Sequence, residues 1–172
     1  LPKAEAAQEY LQKFTEVDAV VESLNPENTS ILEGCDLIMD GTDNLETRFL
    51  ISEYSKREEV PWIYTAALGE KGYSMLFDQN CFSCVFEQVG AGSRETCETA
   101  GIMREISTIA ASKSAYTAIK HLSGHEVLEK LELIPSGQTL DVECSGCEVC
   151  EENSFPHLNS SRETVAVCGE SK

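Results

Sequence analysis

No apolar run in this sequence approaches the roughly 18 residues that a membrane-spanning helix requires, and no basic stretch followed by an apolar one marks an export leader. Positive charge is scarce: Lys and Arg number 13 against 30 Asp and Glu, for a formal charge of −17. That argues against nucleic acid as a partner, because phosphate binding needs a basic footprint; the balance reads as a solvated acidic surface. Internal repeats and low-complexity tracts are absent. A dinucleotide fingerprint loop with its ribose-binding acid is missing too, which speaks against a nicotinamide-dependent dehydrogenase. What remains is a chain of 172 residues, the size of one domain with a real core, expected to be cytoplasmic.

Cysteine is abundant instead. Six of the eight cysteines, Cys81, Cys84, Cys97, Cys144, Cys147 and Cys150, lie in groups too tight for a disulfide framework. In a reducing compartment, paired CxxC units read as a metal site. Cys81 and Cys84 with a second such pair match a tetrahedral four-thiolate zinc site, closed and therefore structural. The string CSGCEVC offers either Cys144 with Cys147 or Cys147 with Cys150. Cys97 lies shortly before the longest predicted helix, where free backbone N–H groups and the helix dipole favour a thiolate. Glu95 and Glu98 oppose that, so Cys97 is either a nucleophile or an inert loop cysteine. Cys35 reads as a small buried hydrophobe. His121, His125 and His157 have no partner at ligand spacing and read as structural or surface residues.

The patterning predicts alternating strands and helices. Residues 3–14 space Ala4, Ala7, Leu11 and Phe14 for one helical face. Residues 17–24 read as a strand, and Asn25–Pro26–Glu27 as the start of a short helix. Residues 36–40 form a nearly continuous apolar strand of the kind buried on both faces of a parallel sheet. A turn at 41–44 follows, then an amphipathic helix from Leu45. In open α/β sheets the ligand crevice lies beyond the carboxyl ends of the strands. Asp43 therefore stands where a phosphate-bound magnesium ion would take a hard oxygen ligand. With Glu46 three residues on, Asp43 also resembles a capping box, and the two roles can coexist. Arg48 is a phosphate contact or a helix-surface ion pair. Residues 60–68 and 73–78 read as strands joined by a hairpin turn at 69–72, which gives a mixed sheet on a doubly wound core. A glycine- and serine-rich flexible segment spans 89–94. A long helix over 102–122 carries a broad apolar face (Ile102, Ile106, Ile109, Ala115, Ile119, Leu122). The tail from residue 131 reads as short strands and loops held mainly by metal.

The strings DGTDNLETR (40–48), VPWIYTAALGEKGYSMLFD (60–78), CFSC (81–84), TCETAGI (96–102) and CEVC (147–150) together resemble the ThiF/MoeB family, relatives of the ubiquitin-activating enzymes. The likeness runs from Lys3 to about Gly169. It implies a Rossmann-like doubly wound mixed sheet with a zinc-bound C-terminal region, organised as a nucleotide-site half (1–80) and a zinc and carrier-interaction half (81–172). It also implies an adenylyltransferase that uses ATP and Mg²⁺ on the C-terminal carboxylate of a ubiquitin-like sulfur-carrier protein. Such enzymes serve thiamine, molybdopterin or related sulfur transfer, usually as homodimers. Lys3 matches a lysine on the ATP phosphates, Asp43 the magnesium ligand, and Cys97 a cysteine that in some members takes the acyl group or forms a persulfide-derived adduct. The family's spacing selects Cys147 and Cys150 beside Cys81 and Cys84 as zinc ligands, leaving Cys144 spare. The family's G-x-G-x-x-G loop is absent. The resemblance thus leads us to expect a truncated enzyme, its N-terminal βα units missing, with on the order of 60 to 80 residues lacking at roughly 30 per βαβ unit. The fragment alone is expected to bind ATP poorly. The competing expectation is a non-catalytic, zinc-stabilised dimerisation or carrier-docking module.

Overall fold

The structure, a computed structural model, describes residues 1–89 and 101–160. Helix α1, Lys3–Leu11, buries none of its residues. Residues 17–24, expected as a strand, are irregular, and Val20 and Val21 are exposed. Their β-branched side chains favour extended backbone, but among the described residues no strand pairs with them. The helix expected after Asn25 is a turn followed by a single 3₁₀ segment, Thr29–Leu32.

Strand β1, Ile38–Met39, is shorter than its apolar run suggested. Among the described residues it pairs on one side only, in parallel with β2, Trp62–Leu68. Ile38 is buried while Met39 is 53 % exposed, so the expectation of burial on both faces is not met. Helix α2, Leu45–Glu58, connects the two strands. β2 turns back through Gly69 and Glu70 into β3, Lys71–Phe77, in a hairpin that pairs Leu68 with Lys71. Helix α3, Phe82–Val89, and helix α4, Arg104–Leu122, follow. Strands β4, Lys130–Ile134, and β5, Gln138–Asp141, then add antiparallel to β3 and to each other. The sheet is five-stranded and mixed, in sequential order. The tail carries two single-turn helices, α5 (Glu148–Glu151) and α6 (Pro156–Asn159).

The two-residue period of β2 and β3 divides the core. Trp62, Tyr64, Met75 and Phe77 pack with Leu50, Ile51 and Tyr54 of α2 and Phe82 and Val85 of α3. Ile63 and Leu76 pack with Ala118, and Ala67 with Ile106 and Ala110, all on α4. Helices therefore cover both faces of the sheet, as patterning predicts for a layered α/β fold. The broad apolar face expected on α4 is a narrow stripe instead: Ile106, Ala110, Ser114 and Ala118 are its buried residues. Ile109, Ile119 and Leu122 are exposed. The reason is close approach. A Cβ on Gly72 would lie 3.1 Å from Ile106 Cγ2 and 3.3 Å from the Ala66 carbonyl. At that spacing only one row of mostly small side chains fits between helix and sheet. Ser114 Oγ donates to the Ala110 carbonyl and lies 2.6 Å from Thr65 Oγ1 and 3.2 Å from Ser74 Oγ, which satisfies the buried hydroxyls.

Candidate functional site

Two groups of residues stand out. The first is the turn after β1. Asp40 N–H donates to the Ile63 carbonyl, the last ladder bond before the chain leaves the sheet. Asp40 itself is 5 % exposed. Its Oδ1 accepts the Thr42 N–H and hydroxyl, each at 2.7 Å, while Oδ2 accepts Arg48 Nε at 3.2 Å. Arg48 also donates to the Thr42 carbonyl and, at 3.3 Å, to the Thr65 carbonyl of β2. Its guanidinium lies 5.1 Å from the Tyr64 ring centroid. Burial raises the Tyr64 phenol above its ordinary value although the arginine beside it pulls the other way, so the ring stays neutral under the cation. Arg48 is thus not a surface ion pair. It is the buried half of a clamp that fixes turn 41–44 from beneath.

Asp43 rides on that turn, exposed, at the carboxyl side of the parallel pair. The expectation that Asp43 caps α2 is corrected: Asn44 is the N-cap, in extended backbone, and its Oδ1 accepts the Thr47 N–H at 2.8 Å. Asp43 lies one residue too early to reach the first free N–H groups. Lys3 is exposed at the start of α1, and no hydrogen bond or ion pair among the described residues joins it to Asp43. Cys97 lies outside the described residues, as does most of segment 89–94. The chain re-enters at Gly101, whose carbonyl accepts the Gly69 N–H at 2.9 Å, and the Met103 N–H donates back to the Gly69 carbonyl. Residues 101–103 are therefore tied to the hairpin at the carboxyl end of β2.

The second group is sulfur. Cys81 stands before α3 and Cys84 in its first turn; Cys147 caps α5 and Cys150 lies on it. Their four Sγ atoms lie within 4.8 Å of one another. Cys81 is 3.6 Å from Cys84 and 3.4 Å from Cys147, and Cys84 is 3.8 Å from Cys150. A tetrahedron with metal–sulfur bonds of ~2.3 Å has edges of ~3.8 Å, so the four thiols fit a single ion. Burial pushes the Cys81 thiol up to about 12 and Cys84 to about 11. It also raises Cys150. Burial opposes ionisation of Cys147 as well, but the Cys150 N–H and the neighbouring thiols bring that group below its ordinary value. Such a cluster can hold several thiolates only when a cation neutralises them. Cys35, expected to be buried, is exposed in the loop ahead of the edge strand.

The surroundings that set this cluster were not visible as motifs. Glu129 accepts the backbone N–H groups of Asp78, Gln79 and Asn80 and the Asn80 amide, and so holds the loop leading to Cys81. The Phe82 N–H donates to Ser52 Oγ of α2. His157, read as a structural or surface residue, is structural: it lies 2.6 Å by Nδ1 from the buried Glu53 carboxylate and stacks on Phe49 at 4.8 Å. The Leu158 N–H bonds the other Glu53 oxygen. The only cues were a glutamate inside an apolar helix stripe and a histidine after proline.

A family model described as the ThiF family matches residues 1–152. The chain is 27 % identical over 185 residues to the sulfur carrier protein ThiS adenylyltransferase of Bacillus subtilis, covering 98 % of this chain and 55 % of that protein. It is 32 % identical over 132 residues to the adenylyltransferase and sulfurtransferase UBA4 of Yarrowia lipolytica, covering 72 % of this chain and 33 % of that one. The chain thus spans about half or less of the length of these curated relatives. Among solved structures, Escherichia coli MccB with AMPCPP and MccA shares the fold at a TM-score of 0.69, with 19 % identity over 86 % of this chain and 50 % of that one. Among the described residues, no helix is long and apolar enough to cross a membrane.

Proposed function

The chain belongs to the ThiF family, and on that premise we propose that it is part of an adenylyltransferase acting on the C-terminal carboxylate of a ubiquitin-like sulfur-carrier protein. Both curated relatives named above are adenylyltransferases, one of them for a sulfur carrier. The observation that carries the reading is an exposed Asp43 carboxylate on a turn locked from beneath by Asp40 and Arg48. A rigid turn at the carboxyl side of a parallel pair is where a nucleotide is held. Asp43 offers the hard oxygen that a nucleotide-bound magnesium ion takes, and Lys3 neutralises phosphate charge. Magnesium, when bound, supplies charge neutralisation on the phosphates.

In the proposed reaction a carboxylate oxygen of the carrier bonds to the α-phosphorus of ATP, the bond to the bridging oxygen breaks, and pyrophosphate leaves. A hydrosulfide-level sulfur nucleophile then bonds to the acyl carbon, the bond from that carbon to the AMP oxygen breaks, and AMP leaves to give the thiocarboxylate. The chain's part is positioning and charge stabilisation, with Cys97 as the residue that takes the activated acyl group or forms a persulfide-derived adduct. Residues 1–80 form the nucleotide half and 81–172 the half that meets the carrier. Cys81, Cys84, Cys147 and Cys150 hold a structural zinc ion, which joins α3 to the tail. A homodimer belongs to the same reading and rests on the family likeness alone.

Asp43→Ala in the full-length protein is the test. Carrier-dependent ATP–pyrophosphate exchange should fall by about 10²–10³, the scale for losing a charge-stabilising group. Exchange at the wild-type rate would reduce Asp43 to a turn residue.

A further inference from the structure

The metal cluster has more sulfur than a tetrahedral ion can use. Cys144 Sγ lies 2.9 Å from Cys84 Sγ, nearer than Cys84 stands to Cys81 or to Cys150. Cys84 is 3 % exposed, whereas Cys144 is half-exposed. A partly exposed cysteine therefore touches a buried ligand. To form a disulfide the two sulfurs must close from 2.9 Å to ~2.05 Å.

We propose that Cys144 is an oxidation site, and that its disulfide with Cys84 opens the metal cluster and frees the tail from α3. The proposal rests on the metal reading above. The oxidant is a peroxide. The Cys144 sulfur takes one oxygen of hydrogen peroxide as the O–O bond breaks, and water leaves with the thiol proton. The Cys84 sulfur then attacks the Cys144 sulfenic acid, the S–S bond forms, and the oxygen departs as a second water. Two electrons pass from the sulfur pair to the peroxide. Where Cys84 is present as a thiolate, the last proton comes from solvent. The site is left with Cys81, Cys147 and Cys150, one sulfur short of a closed tetrahedron. Attack is selective because access decides which cysteine reacts first: Cys81, Cys84 and Cys147 are buried, Cys150 is partly exposed but held on the ion, and Cys144 is the partly exposed thiol outside that ligand set. Thiol reductant reverses the disulfide and allows zinc to rebind.

The experiment treats the zinc-loaded chain with hydrogen peroxide, follows zinc release with a chromophoric chelator, and maps disulfides by peptide mass spectrometry. Wild type should release zinc with formation of a Cys84–Cys144 disulfide. Cys144→Ser and Cys144→Ala, with full zinc content before treatment, should release it roughly tenfold more slowly. Three results overturn the proposal: a disulfide between other cysteines, release at the same rate in both variants, or zinc already lost from both reduced variants, which would make Cys144 a ligand. Wild-type protein that holds no zinc at all sinks the metal reading itself, and this one with it.

Discussion

A side-chain oxygen one residue out of register cannot do a cap's work, and this separates Asp43 from Asn44. The Asn44 Oδ1 satisfies the Thr47 N–H, so Asn44→Ala should cost about 1 kcal/mol of stability. Asp43→Ala should leave stability unchanged within about 0.5 kcal/mol, as surface substitutions away from such features do. Urea unfolding of the two variants checks both, and a larger loss in Asp43→Ala would return that residue to a structural role. The turn and its exposed acid were legible because Gly-Thr-Asp-Asn after an apolar run has few other uses. The clamp beneath was not. Asp40, Arg48 and the Thr65 carbonyl meet only once β1 lies beside β2, and no local spacing encodes that meeting. The same limit applied to Cys35, whose burial depended on how far the strand after it extends.

At the level of elements, α2 does two jobs. One face fills the core below the sheet, and Glu53, 1 % exposed, reaches the tail. Both Glu53 oxygens are engaged, by the Leu158 N–H and by His157 Nδ1, and Leu158 joins the main core. The tail is therefore held by a buried carboxylate as well as by the sulfur cluster, where the sequence suggested mainly metal. Hydrogen bonds to charged groups contribute about 1.5–3 kcal/mol, so Glu53→Gln should loosen α6 by that order. Faster proteolytic cleavage near residues 153–160, with the sheet intact by circular dichroism, is the expected result. Cleavage at the wild-type rate would mean the metal holds the tail unaided. Helices and hairpin were readable here because periodicity and turn chemistry are local. The face that α4 buries was not, because contact distance at Gly72, not apolar count, selects Ile106, Ala110, Ser114 and Ala118.

Across the whole molecule, the sulfur cluster joins the helix after the hairpin to the end of the described chain, and its charge balance makes that junction depend on pH. The two CxxC units were visible in the sequence because a metal needs ligand types at fixed spacing, which is local; which sulfurs converge is a property of the fold. Without metal, burial lifts Cys81 from about 9 to about 12 and Cys84 to about 11. A folded-state value above the unfolded one favours the fold while the thiol is protonated. That contribution is whole below about pH 9 and is lost as the pH rises through 11 to 12. In the zinc-loaded protein the thiolates are already formed and neutralised, so the same alkaline range should leave its stability nearly flat. Thermal melts at rising pH, with and without chelator, should therefore diverge above pH 9. Near neutral pH the sign is complementary: binding displaces thiol protons, so zinc affinity should rise with pH, and proton release should appear as a dependence of the calorimetric enthalpy on buffer. Chelation at neutral pH should lower the melting temperature and expose the loop at Cys81 and the tail to hydrogen exchange together, because in the proposed zinc site one ion spans both. Exchange that increases in one segment alone, or zinc binding indifferent to pH, would mean that the four sulfurs do not share an ion.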